Sequence, residues 1–277
     1  MSTAKLAFYN KPFPRIQSYY DLIDTVVAYG LPAYEGFCHM ELTEPDVEAA
    51  KQIRAYADEK GVVCCCFSVY ANITGDDAAA QVERMKGFAD VAAVLGSPFL
   101  HHTISPQPKE DVLDENVREQ LFWRGIDGIR QIYDYAIQKG VRAIYEDQAF
   151  IFNGVKGFER LLKEIDRDIG IVADFGNIYQ VNETVEPFIE AFGDRVVHVH
   201  FKDMLNVPET YPDRYPTWGD EFCAEIEFGH GTVNFEAAVA LLRKFGYDGY
   251  YAMEYGAKTD DSAAIDEMVS FSQNLLA

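Results

Sequence analysis

The chain has 277 residues, 48% of them hydrophobic, and a formal net charge of −21. That length permits a large buried core and suits an α/β barrel, and the composition excludes a disordered chain. The acidic balance excludes nucleic acid and anionic membranes as partners, because both reward a basic surface.

In chain order, apolar runs predict strands at 5–10, 36–42, 62–69, 98–104, 142–146, 170–174, 195–200 and 250–254. Helical patterns cover 15–29, 45–60, 77–95, 113–139, 156–166, 183–193, 233–246 and 261–276. Gly30, Gly61, Gly96, Gly140 and Gly246 each stand just past a helical pattern, where a helix end favours glycine. Strands that are apolar throughout and alternate with helices imply a parallel sheet covered on both faces. Eight such units predict a (β/α)8 TIM barrel of the α/β class, with residues 1–277 as one domain.

No apolar run is long enough to span a bilayer, and MSTAKLAFYN lacks the apolar core of a signal peptide. Five cysteines, without CxxC spacing, point to free thiols in a reducing cytoplasm. Cys64, Cys65 and Cys66 read as small hydrophobes on a buried strand. One segment breaks the rhythm. Residues 205–231 hold three prolines, two tyrosines and Trp218. A loop this long after strand seven is expected to hang over the C-terminal mouth as a lid.

The last four strands share one feature. RAIYE ends in Glu146, GIVAD in Asp174, RVVHVH in His200 and YYAME in Glu254. Each terminal residue can ligate a divalent cation, and the spacings are 28, 26 and 54 residues. Without the 27-residue segment 205–231 the last spacing falls to 27, so all three equal about one βα unit. Residues two apart on a strand face the same way, about 6.6 Å apart. His198 therefore lies deeper than His200, as a hydrogen-bonded neighbour or a second ligand, and His200 takes the mouth. Three carboxylates and one imidazole suit one hard divalent cation, Mn²⁺ best, with Mg²⁺, Co²⁺ and Zn²⁺ compatible. Strands five and eight are not neighbours in an eight-strand ring. Glu146 and Glu254 are then placed on two sides of a substrate, as proton removal and re-delivery require.

Several residues near the strand ends are candidates for substrate contact. Glu41 closes the expected second strand and either binds a hydroxyl or joins a salt bridge. Only one of His101 and His102 can face the mouth, and His102 is assigned to substrate. Lys202 either reaches a substrate oxygen or pairs with Asp203. His230 either meets the substrate or caps the helix that follows. Tyr9, Phe67 and Trp218 either wall the C–H face of a sugar or pack in the core. No glycine-rich phosphate loop is present, which favours a neutral sugar, polyol or keto acid.

The runs RAIYEDQ, ADFGN and VVHVHFKD, with the ending GHGTVNFEAAVALLRKFGYDGYYAMEY, resemble the xylose isomerase-like sugar phosphate isomerase/epimerase superfamily of TIM barrels. The pattern looks most like ketose 3-epimerases and their hydroxypyruvate isomerase and dehydratase relatives. The resemblance implies one divalent ion on Glu146, Asp174, His200 and Glu254, with Glu146 and Glu254 exchanging the substrate proton. Gly229 and Gly231 belong to a less specific part of the pattern. The chain departs from that pattern at Gln148, at Asn177, which stands where a substrate-binding histidine is common, and at Asn206. These changes bear on the substrate and leave the ligand set intact.

The expected protein is a metal-dependent isomerase or epimerase of a small sugar or hydroxy-ketone. A lyase dehydrating a keto-polyol on the same site is the alternative, and a non-catalytic sugar-binding or partner subunit is the second. A homo-oligomer is compatible with every reading.

Overall fold

The computed structural model describes residues 5–9, 11, 13–255 and 262–277. Asn10 and Asp261, at the margins of the first expected strand and the last expected helix, lie outside the described residues. The barrel strands are β1 (Lys5–Tyr9), β2 (Ala33–Phe37), β3 (Val63–Val69), β4 (Phe99–His102), β5 (Arg142–Glu146), β6 (Gly170–Asp174), β7 (Val196–Phe201) and β11 (Tyr250–Met253). All pair in parallel, and the ring closes in the order β1-β11-β7-β6-β5-β4-β3-β2.

Helices fill the intervals as the apolar spacing requires: α1 (Tyr19–Ala28), α2 (Val47–Lys60), α3 (Ala78–Leu95), α4 (Glu115–Ala136), α5 (Gly154–Glu164), α6 (Val185–Phe192), α7 (Phe235–Lys244) and α8 (Ser262–Leu276). Ser18, Asp46 and Asp114 cap α1, α2 and α4 by accepting backbone N–H bonds with their side chains. All five helix-stop glycines adopt positive φ, between 65° and 77°. The fold is the expected (β/α)8 barrel.

The second strand departs from expectation. It covers 33–37, not 36–42, and residues 40–42 form a 3-10 turn after Met40 has entered the left-handed region at φ 57°. Glu41 is therefore not a strand end. Its carboxylate accepts the Tyr19 backbone N–H at 3.0 Å, at the start of α1.

Two register shifts shape the barrel interior. Between β2 and β3, Tyr34 pairs with Cys64 but Glu35 pairs with Cys66, so Cys65 is an extra residue. Cys64 then packs among the helices, while Cys65 and Cys66 both join the inner cluster with Ala7, Tyr9, Ala33 and Ala252. Between β6 and β7, Ile171 pairs with Val196 and Val172 with His198, which skips Val197. Each bulge re-aims the side chains that follow it. The small inner side chains Ala7, Ala33 and Ala252 leave room above them for larger polar groups.

The segment after β7 is a small antiparallel sheet where an irregular lid was expected. Strands β8 (Asp203–Val207), β9 (Tyr215–Pro216) and β10 (Phe222–Ile226) pair in the order β8-β10-β9. Its two ends are tied together by Asp203, which is 1% exposed. The Asp203 carboxylate accepts the backbone N–H groups of Met204, Gly229, Gly231 and Val233 at 2.8–3.3 Å. A Cβ on Gly231 would lie 2.1 Å from Asp203 Oδ1, so only glycine fits there.

Replacing Asp203 with alanine leaves four backbone donors without their acceptor, one buried and three partly buried. The Asp203→Ala variant is expected to lose about 3 kcal/mol of unfolding free energy, measured by urea denaturation. Asp203→Asn is expected to lose less, since its amide oxygen still accepts.

Candidate active site

Glu146, Asp174, His200 and Glu254 converge at the C-terminal mouth. One ligand atom from each lies within 4.8 Å of all the others. His200 Nδ1 stands 3.1 Å from Glu146 Oε2, 3.6 Å from Asp174 Oδ2 and 3.0 Å from Glu254 Oε2. Each side chain is there because its parallel strand ends at the same height and its neighbours on the strand face outward into the helices. Glu146 and Glu254 are 6% exposed, and Asp174 and His200 are fully buried.

Burial pushes the His200 imidazole down, but the Glu35 charge and the hydrogen bonds of Asp174, Glu146 and Glu254 hold it well above its ordinary range. Its Nδ1–H bonds to Glu146, and among the described residues buried Glu254 Oε2 has no donor besides that same nitrogen, 3.0 Å away. A buried carboxylate oxygen that shares its one donor with Glu146 matches a site that can receive a cation. The donor set, mostly carboxylate oxygen, fits a hard divalent ion.

Two lysines flank the quartet. Lys202 Nζ lies 3.0 Å from Asp174 Oδ2, 2.8 Å from Glu254 Oε1 and 3.0 Å from Asn177 Oδ1. Lys11 Nζ lies 3.0 Å from both Glu254 Oε1 and Glu225 Oε2 of β10. Burial pushes the Glu254 carboxyl up, but the charges of Lys11 and Lys202 outweigh it and hold it well below the usual range.

Beneath His200 lies a residue that the sequence pattern concealed. Glu35 of β2 is fully buried inside the barrel. It accepts from His198 Nε2 at 2.6 Å, from His200 Nε2 at 3.1 Å and from Ser68 Oγ. Burial pushes the Glu35 carboxyl up, and the charges and hydrogen bonds of His200 and His198 more than reverse this, holding it far below its ordinary range. His198 is thus hydrogen-bonded to a carboxylate one layer below the mouth.

Other expected residues fall in different places. Asn177 and Lys202 line a cavity of about 340 Å³ above the quartet, with Lys11, Gln107, Gln148, Gln180, Tyr215 and Glu225. Asn177 Nδ2 is buried without a partner there. His102 does not reach the mouth as expected, because the strand phase is opposite to that expectation. His102 turns outward, bonding Tyr145 Oη at 3.1 Å and Thr103 O at 2.9 Å. His101 faces inward, 3.0 Å from Ser68 Oγ and 3.6 Å from Glu146 Oε1.

His230 is exposed and pairs with Glu267 of α8 at 2.9 Å, away from the cavity. Glu41 is likewise exposed and spent on α1. Trp218 is 40% exposed and packs against Phe150 with the rings tilted by 32° and 5.5 Å between centroids, and Phe150 lines the cavity in its place. Phe67 packs outward on Phe88 of α3, and Tyr9 stands edge-on to His200 inside the barrel. Among the described residues, no helix is long and apolar enough to cross a membrane.

No curated protein matches the sequence significantly. Solved structures match over nearly the whole chain. A xylose isomerase domain protein from Planctomyces limnophilus superposes with a TM-score of 0.76 at 15% identity, covering 99% of this chain and 98% of that one. A D-tagatose 3-epimerase-like protein gives 0.75 at 17%, covering 98% and 97%. A xylose isomerase-like TIM barrel protein from Mycobacterium smegmatis, in complex with magnesium, gives 0.69 at 15%, covering 99% and 98%. At these identities the likeness establishes the fold. A family model described as xylose isomerase-like TIM barrel matches residues 23–275. The chain belongs to the xylose isomerase-like TIM barrel family.

Proposed function

We propose that the protein is a divalent-metal-dependent isomerase or epimerase of a small sugar or related hydroxy-ketone. The observation that carries this reading is the convergence of Glu146, Asp174, His200 and Glu254 within 4.8 Å, with the two glutamates on non-adjacent strands β5 and β11. The D-tagatose 3-epimerase-like and xylose isomerase domain neighbours support the substrate class. Magnesium in the Mycobacterium smegmatis neighbour supports a divalent cation, and the carboxylate-rich set favours Mn²⁺ among such ions. Five free cysteines suit a reducing cytoplasm.

Glu146, Asp174, His200 and Glu254 would hold the cation, which would supply Lewis-acid polarisation of a substrate carbonyl. The chain's own groups then handle the proton. Each glutamate turns one oxygen toward His200 and keeps the other apart. Glu146 Oε1 lies toward His101, and Glu254 Oε1 toward Lys11 and Lys202. These outer oxygens point away from the ligand cluster, and for Glu254 Oε1 to take a proton one of its two lysine pairs must open. One glutamate takes it from the carbon beside the carbonyl, and the other returns a proton from the far side, which inverts that carbon. Asn177 Nδ2 and Lys202 Nζ offer donors to substrate hydroxyls. The amides of Gln107, Gln148 and Gln180 and the Tyr215 ring complete a wall suited to a neutral polyol. The pocket-facing part of the β8–β10 sheet, Tyr215 and Glu225, serves as a specificity element.

The direct test replaces either glutamate with glutamine, which keeps the shape and removes the base. Glu146→Gln and Glu254→Gln are each expected to lose about 10²–10⁴-fold in turnover on the best ketose of a panel. In D₂O the unaltered enzyme should place deuterium at the reacting carbon, read by NMR. Near-normal turnover by either variant rules the two-glutamate scheme out.

Asp174→Ala and His200→Ala are expected to stay folded but lose the bound cation, measured by elemental analysis after dialysis. A full metal complement in either variant removes that residue from the ligand set. Trimming the tip of the small sheet, residues 208–220, should change KM across a sugar panel with little shift in Tm, provided the Asp203 bonds are kept.

A further inference from the structure

We infer that Glu35 is the positioning residue of the metal centre, fixing the orientation of two of its four ligands from inside the barrel. This rests on the cation-dependent reading above.

A carboxylate with no exposure at all is costly to bury unless donors surround it. Glu35 has three. Oε2 takes His198 Nε2 at 2.6 Å, and Oε1 takes His200 Nε2 at 3.1 Å together with the Ser68 hydroxyl. The bond to His200 decides which nitrogen meets the other ligands. With Nε2 held by Glu35, Nδ1 is left facing Glu146, Asp174 and Glu254. Rotation of the ring about its stem breaks the Glu35 bond and carries Nδ1 away from those oxygens. A carboxylate on the far nitrogen also raises the basicity of the near one as a ligand.

The second route runs through Ser68. Its single hydroxyl hydrogen goes to Glu35, so its oxygen accepts from His101 Nδ1 at 3.0 Å. That leaves His101 Nε2, buried and without a hydrogen bond, 3.6 Å from Glu146 Oε1. The ring therefore props the outer side of the Glu146 carboxylate. His200 and Glu146 come from different strands, β7 and β5, and both are referenced to one group on β2. The bulge at Cys65 makes this possible, because it sets the register at which Ser68 and Glu35 meet inside the barrel.

The test measures cation affinity and ligand geometry in the cation-free full chain. Mn²⁺ and Co²⁺ are titrated by calorimetry, and the visible absorption of bound Co²⁺ reports coordination. Glu35→Gln puts an N–H₂ where at least one donor now points, so a bond to a histidine or to Ser68 is lost. Its affinity is expected to fall 10–100-fold, with a changed Co²⁺ band. Should that variant fail to fold, Glu35→Asp carries the same test, since it keeps the charge but stops one methylene short of His200. Wild-type affinity and an unchanged Co²⁺ spectrum in a folded Glu35 variant overturn the inference alone. An unaltered protein that binds neither cation overturns the functional reading, and this inference with it.

Discussion

Negative charge gathered in a closed space is the constraint around which the barrel is arranged. Glu35, Glu146, Asp174 and Glu254 are all 6% exposed or less and share the upper interior. Carboxylates this close repel strongly where water cannot screen them. The protein meets the repulsion with cations at fixed places: the His200 imidazolium at the centre, Lys202 on one side and Lys11 at the rim. The inward-facing alanines, the two bulges and the outward-facing phenylalanines are consistent with it. They clear a polar layer inside while the apolar contacts are made between strands and helices. The divalent cation proposed for the quartet would add to that counter-charge.

The two glutamates stand in different surroundings. Behind Glu146 are His101, Ser68 and Glu35, all inside the barrel wall. Behind Glu254 are two ammonium groups, one linked to the small sheet through Glu225. Carboxyl groups whose environments differ in this way are the ones that can divide acid and base work between them. The link through Lys11 also means that the seating of the small sheet is felt directly at a strand-end carboxylate.

Much of this was legible in the sequence because the candidate ligands are periodic. Glu146, Asp174, His200 and Glu254 end apolar runs one βα unit apart, and no side-chain detail was needed to see them. Glu35 was not legible from apolar patterning, which gives a carboxylate in mid-strand no place. A different regularity marks it. The third, fourth and fifth strands begin two or three residues after their helix-stop glycines Gly61, Gly96 and Gly140. Counting the same way from Gly30 starts β2 at Ala33 and puts Glu35 inside it. The choice between His101 and His102 turned on strand phase, which two adjacent histidines cannot reveal. His230 and Trp218 misled for a third reason: an excursion's sequence does not say which of its residues face inward.

The Asp203 carboxylate holds the first residue after β8 begins and the glycines at 229 and 231 within one hydrogen-bonding shell. Everything between those points therefore leaves the barrel and returns at a single spot. Chain inserted into such a closed loop costs little further entropy, about 0.6 kcal/mol for each doubling of its length. The barrel strands keep their register whatever the length of that span, and the Glu225–Lys11 pair is the contact through which the span reaches Glu254. A sheet of another size can hang from this junction without moving the barrel strands, and only the side chains it turns toward the pocket, such as Tyr215 and Glu225, would change with it.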